Sequence, residues 1–87
     1  MGPNQIVFVA DLYEQQLNHY GHRPKNLTED KLAPVEATAH ALWMCERIKG
    51  MAHQDIEKAC RWLGFIQGIL WTRGIYTIDE MRGHNRG

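Results

Sequence analysis

The strongest constraint on the fold is the spacing of apolar residues, which repeats at the helical period in three segments separated by glycine and proline. In the first segment, apolar residues fall at i, i+3, i+4, i+7, i+11 and i+14 from Ile6, with polar residues opposite. Gly21 and Pro24 follow at the spacing typical of a helix C-terminus. A first helix is predicted over about residues 4–20, although the β-branched run IVFV also favours a strand for its first turn.

Two further segments and a short C-terminal one also have helical signals. Pro34 suits the first position of a helix over about residues 34–50, which is apolar around most of its circumference and is therefore expected to be covered on two sides. A third helix is predicted over about 54–73, with Gly74 closing it. In the stretch TIDE, Thr77 and Glu80 fit a capping box and predict a last helix over about 77–84.

The expected fold is an all-α, compact bundle of three main helices and a short C-terminal helix. The 87 residues make a single domain, 1–87, in which residues 1–3 are expected to be a disordered tail or an expression remnant. A polar connector, HRPKNLTEDK, joins the first two helices and could contain one helical turn from Thr28. The core face of the third helix is expected to comprise Ile56, Ala59, Cys60, Leu63, Ile66, Leu70 and Trp71.

Charge and composition exclude some classes of protein. Ten basic and ten acidic side chains balance, so the total charge gives no strong attraction to nucleic acid or to an anionic membrane. No apolar run is long enough to span a bilayer, and the N-terminus lacks the pattern of a signal peptide. We expect a cytoplasmic protein in which Cys45 and Cys60 are reduced, buried thiols.

Catalytic and metal-binding motifs are missing from the sequence. The chain has no serine, phosphate loop or HExxH motif. Gly21 separates His19 from His22, and neither cysteine belongs to a CxxC motif. Glu36 and His40 could share a proton at i, i+4, but such pairs are common on solvated helices. The sequence therefore predicts no enzyme, no metal site and no cofactor.

A stripe on the second helix is the first candidate binding surface. Glu36, His40, Trp43 and Arg47 lie at i, i+4, i+7 and i+11 on one face. A tryptophan among charged groups is typical of protein interfaces or of stacking on a nucleic-acid base. The alternative is a half-exposed Trp43 sheltered by its charged neighbours or packed under the first helix.

The stretch CRWLGFIQGILW places two glycines four residues apart inside the third helix. Because glycine costs a helix interior about 0.5–1 kcal/mol relative to alanine, Gly64 and Gly68 indicate a groove for closely packed backbone, with Trp71 along its edge. The second helix of the same chain could fill this groove, or a second copy could do so. Phe65, predicted to face away from the core near Arg61, is either a lone exposed ring or part of a partner-binding surface.

From about Ala41 to Arg86 the chain resembles small, uncharacterised all-helical proteins of tailed bacteriophages. The resemblance lies in the stretches ALWMCERI, EKACRWLGFIQGILW and GIYTIDEMRGHNR, although Cys60 departs from the pattern. It implies a small protein made in the cytoplasm of an infected bacterium, in a class rich in inhibitors and adaptors of host machinery or of defences such as CRISPR-Cas. It implies no catalytic residues.

The sequence as a whole favours a non-enzymatic interaction protein that forms a homo-oligomer, most simply a dimer, and inhibits or modulates a bacterial host protein. Partner binding is assigned to Glu36, His40, Trp43, Arg47, Arg61 and Phe65, and self-association or helix packing to Gly64, Gly68 and Trp71. The alternative is a small-ligand or nucleotide-binding sponge, or a nucleic-acid-binding accessory protein.

Overall fold

The computed structural model describes residues 1–28 and 31–87, and these residues form four α-helices without a strand. The helices are α1 (Pro3–His19), α2 (Pro34–Met51), α3 (Ile56–Thr72) and α4 (Ile78–Arg86). The predicted all-helical class is confirmed, and α1 covers the IVFV run where a strand was the alternative. The start of α2 is observed where it was predicted, at Pro34, and the other helix ends differ from the predicted ones by one or two residues. The turn expected from Thr28 falls largely on Glu29 and Asp30, which lie outside the described residues.

The helix ends follow from local hydrogen bonds. The Asp55 carboxylate accepts a hydrogen bond from the Lys58 N–H at 3.1 Å, so α3 begins after Asp55 rather than at Gln54. At α4, the Thr77 hydroxyl accepts from the Glu80 N–H and the Glu80 carboxylate accepts from the Thr77 N–H, which confirms the capping box. Gly74 adopts φ +72°, a conformation that favours glycine directly after a helix.

The core forms where α2 packs between α1 and α3, which explains why α2 is apolar around so much of its surface. On its α1 side, the Lys49 ammonium lies 3.2 Å from an Asp11 carboxylate oxygen and 2.9 Å from one of Glu14, which links the two helices. The short helix α4 packs against α1 and buries Met81. The buried apolar residues of α1 are Ile6, Val9, Ala10, Tyr13 and Leu17.

Three residues of α3 that were assigned to the core are not buried. Cys60 is exposed, Trp71 is 52% exposed and Ile56 is 37% exposed. The buried face is narrower than the pattern indicated and consists of Ala59, Leu63, Ile66 and Leu70. The reason is geometric, because α3 lies at the side of the bundle and meets its neighbours over a single stripe. Tyr20, predicted to continue the buried face of α1, is likewise exposed.

Candidate partner-binding cleft

An open cleft of about 360 Å³ lies between α2 and α3. The helix α2 contributes His40 and Met44, which are four residues apart and therefore lie on one face. The helix α3 contributes Arg61, Trp62 and Phe65. The side chain of Phe65 is 59% exposed although it borders this apolar surface. The cleft thus combines a thioether, two aromatic rings, an imidazole and a guanidinium at the surface.

Three aromatic rings, which we name the cleft cluster, support the cleft: His40, Trp43 and Trp62. The rings of His40 and Trp43 stack with centroids 5.5 Å apart and planes at 24°. Trp43 also contacts Trp62 across the helix interface, at a centroid distance of 6.1 Å and a tilt of 35°. Such contacts between large rings hold α2 and α3 at a defined spacing. The cluster therefore joins the two helices that line the cleft.

Two cations lie over the tryptophan faces of this cluster. The guanidinium carbon of Arg47 is 5.6 Å from the centre of the Trp43 ring, and the ammonium of Lys58 is 5.5 Å from that of Trp62. These distances are typical of cation–π contacts, which stabilise exposed sites by about 0.5–1 kcal/mol. The contacts place two positive charges beside the cleft, in addition to the guanidinium of Arg61.

The backbone connector between α1 and α2 fixes the imidazole of His40. The Leu27 N–H donates a hydrogen bond to His40 Nδ1 at 3.1 Å. Because Nδ1 is the acceptor, the neutral ring carries its proton on Nε2. A nearby backbone bond from the Lys25 N–H to the Ala39 carbonyl, 3.2 Å long, holds the same connector. His40 is therefore fixed in place, with an N–H donor on Nε2.

The structure brings together most, but not all, of the partner-binding residues that the sequence suggested. His40, Arg61 and Phe65 line the cleft, and Trp43 and Arg47 lie beside it. Glu36 does not line the cleft, because its carboxylate accepts a hydrogen bond from the Ala33 N–H at 2.9 Å and caps α2. Glu36 and His40 thus bond to different parts of the backbone and form no proton-sharing pair.

Sequence reasoning missed three residues of this region. Met44, which is only 6% exposed, and Trp62, which is partly buried against the core, also line the cleft. The ammonium of Lys58 lies over the Trp62 ring. The available signal was the i, i+4 spacing of Lys58 and Trp62, which places a cation beside an aromatic ring on one helix face.

The two glycines of α3 lie on its outer surface, on a different face from the cleft cluster. A Cβ atom built on Gly64 or Gly68 meets no described atom within 4 Å, apart from neighbouring residues and the backbone of α3 itself. The second helix of the same chain therefore does not fill this groove, and that interpretation is wrong. Trp71, three residues beyond Gly68, is half exposed on the same side.

A second group of aromatic rings, which we name the inner cluster, consists of Tyr13, Tyr76 and His84. Tyr13 is fully buried, and its ring centroid lies 5.2 Å from that of Tyr76 and 5.4 Å from that of His84. The side-chain amide of Gln67 donates to the Tyr13 oxygen at 2.9 Å, and the Tyr13 hydroxyl shares a second hydrogen bond of 2.9 Å with His84 Nδ1. Burial raises the pKa of Tyr13 to about 12.

The polar groups around the inner cluster are paired with one another. The Gln5 amide donates to the His84 carbonyl at 2.7 Å. The amides of Gln67 and Asn85 exchange two hydrogen bonds, of 2.7 and 3.2 Å. Together with the buried Met81, these bonds hold α4 against α1 and α3. The inner cluster thus has a structural role, and sequence reasoning did not anticipate it.

The described part of the chain contains neither a metal-binding cluster nor a helix that could span a membrane. Within residues 1–28 and 31–87, no three His, Cys, Asp or Glu side chains come close enough together to hold a metal ion. None of the four described helices has both the length and the apolar character that crossing a bilayer requires. No protein-family model, curated protein or solved structure matches this chain.

Proposed function

We propose that this chain is a phage-type interaction protein that binds a bacterial host protein through the cleft between α2 and α3 and thereby inhibits or modulates it. The observation that carries the proposal is the convergence of His40, Arg61 and Phe65, from two helices, on one open apolar surface. Helical spacing placed Arg61 beside Phe65 on α3, but it could not predict that His40 of α2 would lie in the same cleft.

The composition of the cleft is that of a protein-binding hot spot. Interface hot spots are enriched in tryptophan and arginine, and methionine adapts to irregular partner surfaces. Here Trp62, Arg61 and Met44 meet in one cleft, with Phe65 projecting beside them. The chain would act by occupying a surface of its partner, and no group transfer is needed.

Affinity purification from a bacterial lysate, with the full chain as bait, tests this function. The decisive variant is Phe65→Ser, and its matched control is Phe8→Ser on α1, because Phe8 is also an exposed phenylalanine and lies outside the cleft. We expect a protein that the wild type and Phe8→Ser enrich and that Phe65→Ser loses. A partner that both variants retain equally would contradict the assignment of the cleft.

We further propose that the chain forms a homodimer through the outer face of α3, defined by Gly64, Gly68 and Trp71. The open space above both glycines supports close approach of a second helix. Light scattering should give a dimer mass for the wild type and a monomer mass for Gly64→Leu. Gly50→Leu is the matched control, since Gly50 is a helical glycine with equally open surroundings on α2. A wild-type monomer at high micromolar concentration would contradict the dimer.

A further inference from the structure

The hydrogen-bonding groups in the cleft are donors. His40 carries its proton on Nε2, because Nδ1 accepts from the Leu27 N–H at 3.1 Å. Arg61 contributes a guanidinium, which has five N–H donors and no acceptor. The remaining lining residues, Met44, Trp62 and Phe65, are apolar except for the Trp62 indole N–H, which is also a donor. A ligand that satisfies this site must therefore supply hydrogen-bond acceptors.

Positive charge at the cleft is not neutralised by the described part of the chain. Arg47 and Lys58 lie over tryptophan rings, and Arg61 lines the cleft. The ion pairs among residues 1–28 and 31–87 involve Lys49 and Arg82 instead. Glu57 is four residues before Arg61 on α3, but its carboxylate lies beyond 4.0 Å from that guanidinium. The cleft therefore favours an anionic group.

The two tryptophan rings beside the cleft already carry stacking or cation–π contacts, whereas Phe65 presents an exposed ring. The Trp43 ring is stacked with His40 and lies under Arg47, and the Trp62 ring lies under Lys58. A nucleotide base that stacked on either ring would have to displace these contacts. A peptide does not need a free ring face, because its apolar side chain can insert beside Met44 and Phe65 while its carboxylate reaches the donors.

We propose that the cleft binds an acidic peptide segment of a partner protein, in which a carboxylate contacts His40 Nε2–H and Arg61 and an adjacent apolar side chain contacts Met44, Trp62 and Phe65. The inference rests on the proposed function and names the chemistry of the partner. It does not depend on the dimer.

Selection of random dodecapeptides displayed on phage against the immobilised full chain tests the inference. Peptides enriched on the wild type should carry Asp or Glu next to an aromatic or aliphatic residue. A charge-assisted hydrogen bond contributes about 1.5–3 kcal/mol, so binding of an enriched peptide should fall about 10-fold or more with Arg61→Gln. Arg86→Gln, which alters an exposed arginine of α4, is the matched control and should bind like the wild type.

The variant His40→Asn distinguishes loss of the Nε2–H donor from loss of the hydrogen bond that holds the connector. Its amide oxygen can replace Nδ1 as the acceptor for the Leu27 N–H, whereas the Nε2–H donor is lost. We expect a native circular dichroism spectrum and weaker binding of the enriched peptide. Replacing the acid of that peptide by its amide should reduce binding to the wild type but have little further effect on Arg61→Gln. An amide peptide that binds as tightly as the acid would overturn the inference.

Two further outcomes are informative. The acidic-peptide assignment is wrong if selection on the wild type enriches neutral or basic peptides. It is also wrong if AMP quenches tryptophan emission in a way that depends on Arg61 while acidic peptides cause no quenching. A host protein whose capture requires Phe65 but neither Arg61 nor His40 would overturn the acidic-segment inference and leave the proposed function intact. Capture that ignores Phe65 would contradict the proposed function itself.

Discussion

Two clusters of aromatic rings, each containing a histidine, differ in how their polar atoms are bonded. In the inner cluster, the Tyr13 hydroxyl has both Gln67 and His84 as partners and is fully buried. In the cleft cluster, only His40 Nδ1 has a partner in the hydrogen bonds described, and two cations lie over the tryptophan rings. Similar residue types therefore share their hydrogen bonds inside the fold in one place and support a surface cleft in the other.

Alkaline pH should produce the largest effect, and it should arise near the inner cluster. Burial raises the pKa of Tyr13 from 10.0 to about 12 and that of Cys45 from 9.0 to about 12. Both pKa values are higher in the folded than in the unfolded chain. The two groups therefore contribute fully to the free energy of unfolding below pH 9, and this contribution is lost as the pH rises toward 12. One pKa unit corresponds to about 1.4 kcal/mol, so the free energy of unfolding should fall by several kcal/mol.

Urea denaturation followed by tryptophan fluorescence across this pH range measures the effect. Cys45→Ala should make the dependence on pH shallower, whereas Cys60→Ala should leave it unchanged because Cys60 is exposed. If both cysteine variants show the wild-type pH dependence, Cys45 does not contribute as proposed. The contrast between a buried structural cluster and an open one would then lose part of its support.

Tyr13→Phe should have the next largest effect, without any change of pH. The variant keeps the buried ring but leaves the Gln67 amide and His84 Nδ1 without their shared partner. An unsatisfied buried polar group costs about 1–3 kcal/mol, and we expect a loss of that size in urea denaturation. Tyr20→Phe is the control, because the Tyr20 hydroxyl is exposed and accepts only from Gln16. Equal losses in the two variants would contradict a structural role for the inner cluster.

The positions of the helices were predictable from sequence because their determinants are local. The 3.6-residue spacing, Pro34 at the start of α2, and the Thr77–Glu80 capping box act over a few residues. The width of a buried face was not predictable, because it depends on where neighbouring helices lie. Cys60 and Trp71 were therefore assigned to the core although α3 exposes them.

The sequence predicted which types of residue form the candidate site, but it did not identify all the residues that line it. Periodicity on α2 identified His40 and Trp43, and the same reasoning on α3 identified Arg61 and Phe65. It could not show that Trp62 packs against Trp43, since that contact joins residues on two helices whose relative rotation is set by tertiary packing. The inner cluster was missed for the same reason, because it joins α1 with residues near the C-terminus.

Phe65→Ser should have the smallest effect on stability. This result would show that a cleft residue, unlike the residues of the inner cluster, contributes little to the fold. The Phe65 side chain is 59% exposed, so truncating it removes little buried apolar area, and we expect a change within about 0.5 kcal/mol. Urea denaturation alongside Phe8→Ser measures this, since Phe8 is similarly exposed on α1. A loss above about 1 kcal/mol for Phe65→Ser alone would show that the ring supports the α2–α3 interface. In that case reduced partner capture by the same variant could reflect a disturbed fold. A small change would assign such a loss of capture to the cleft surface itself.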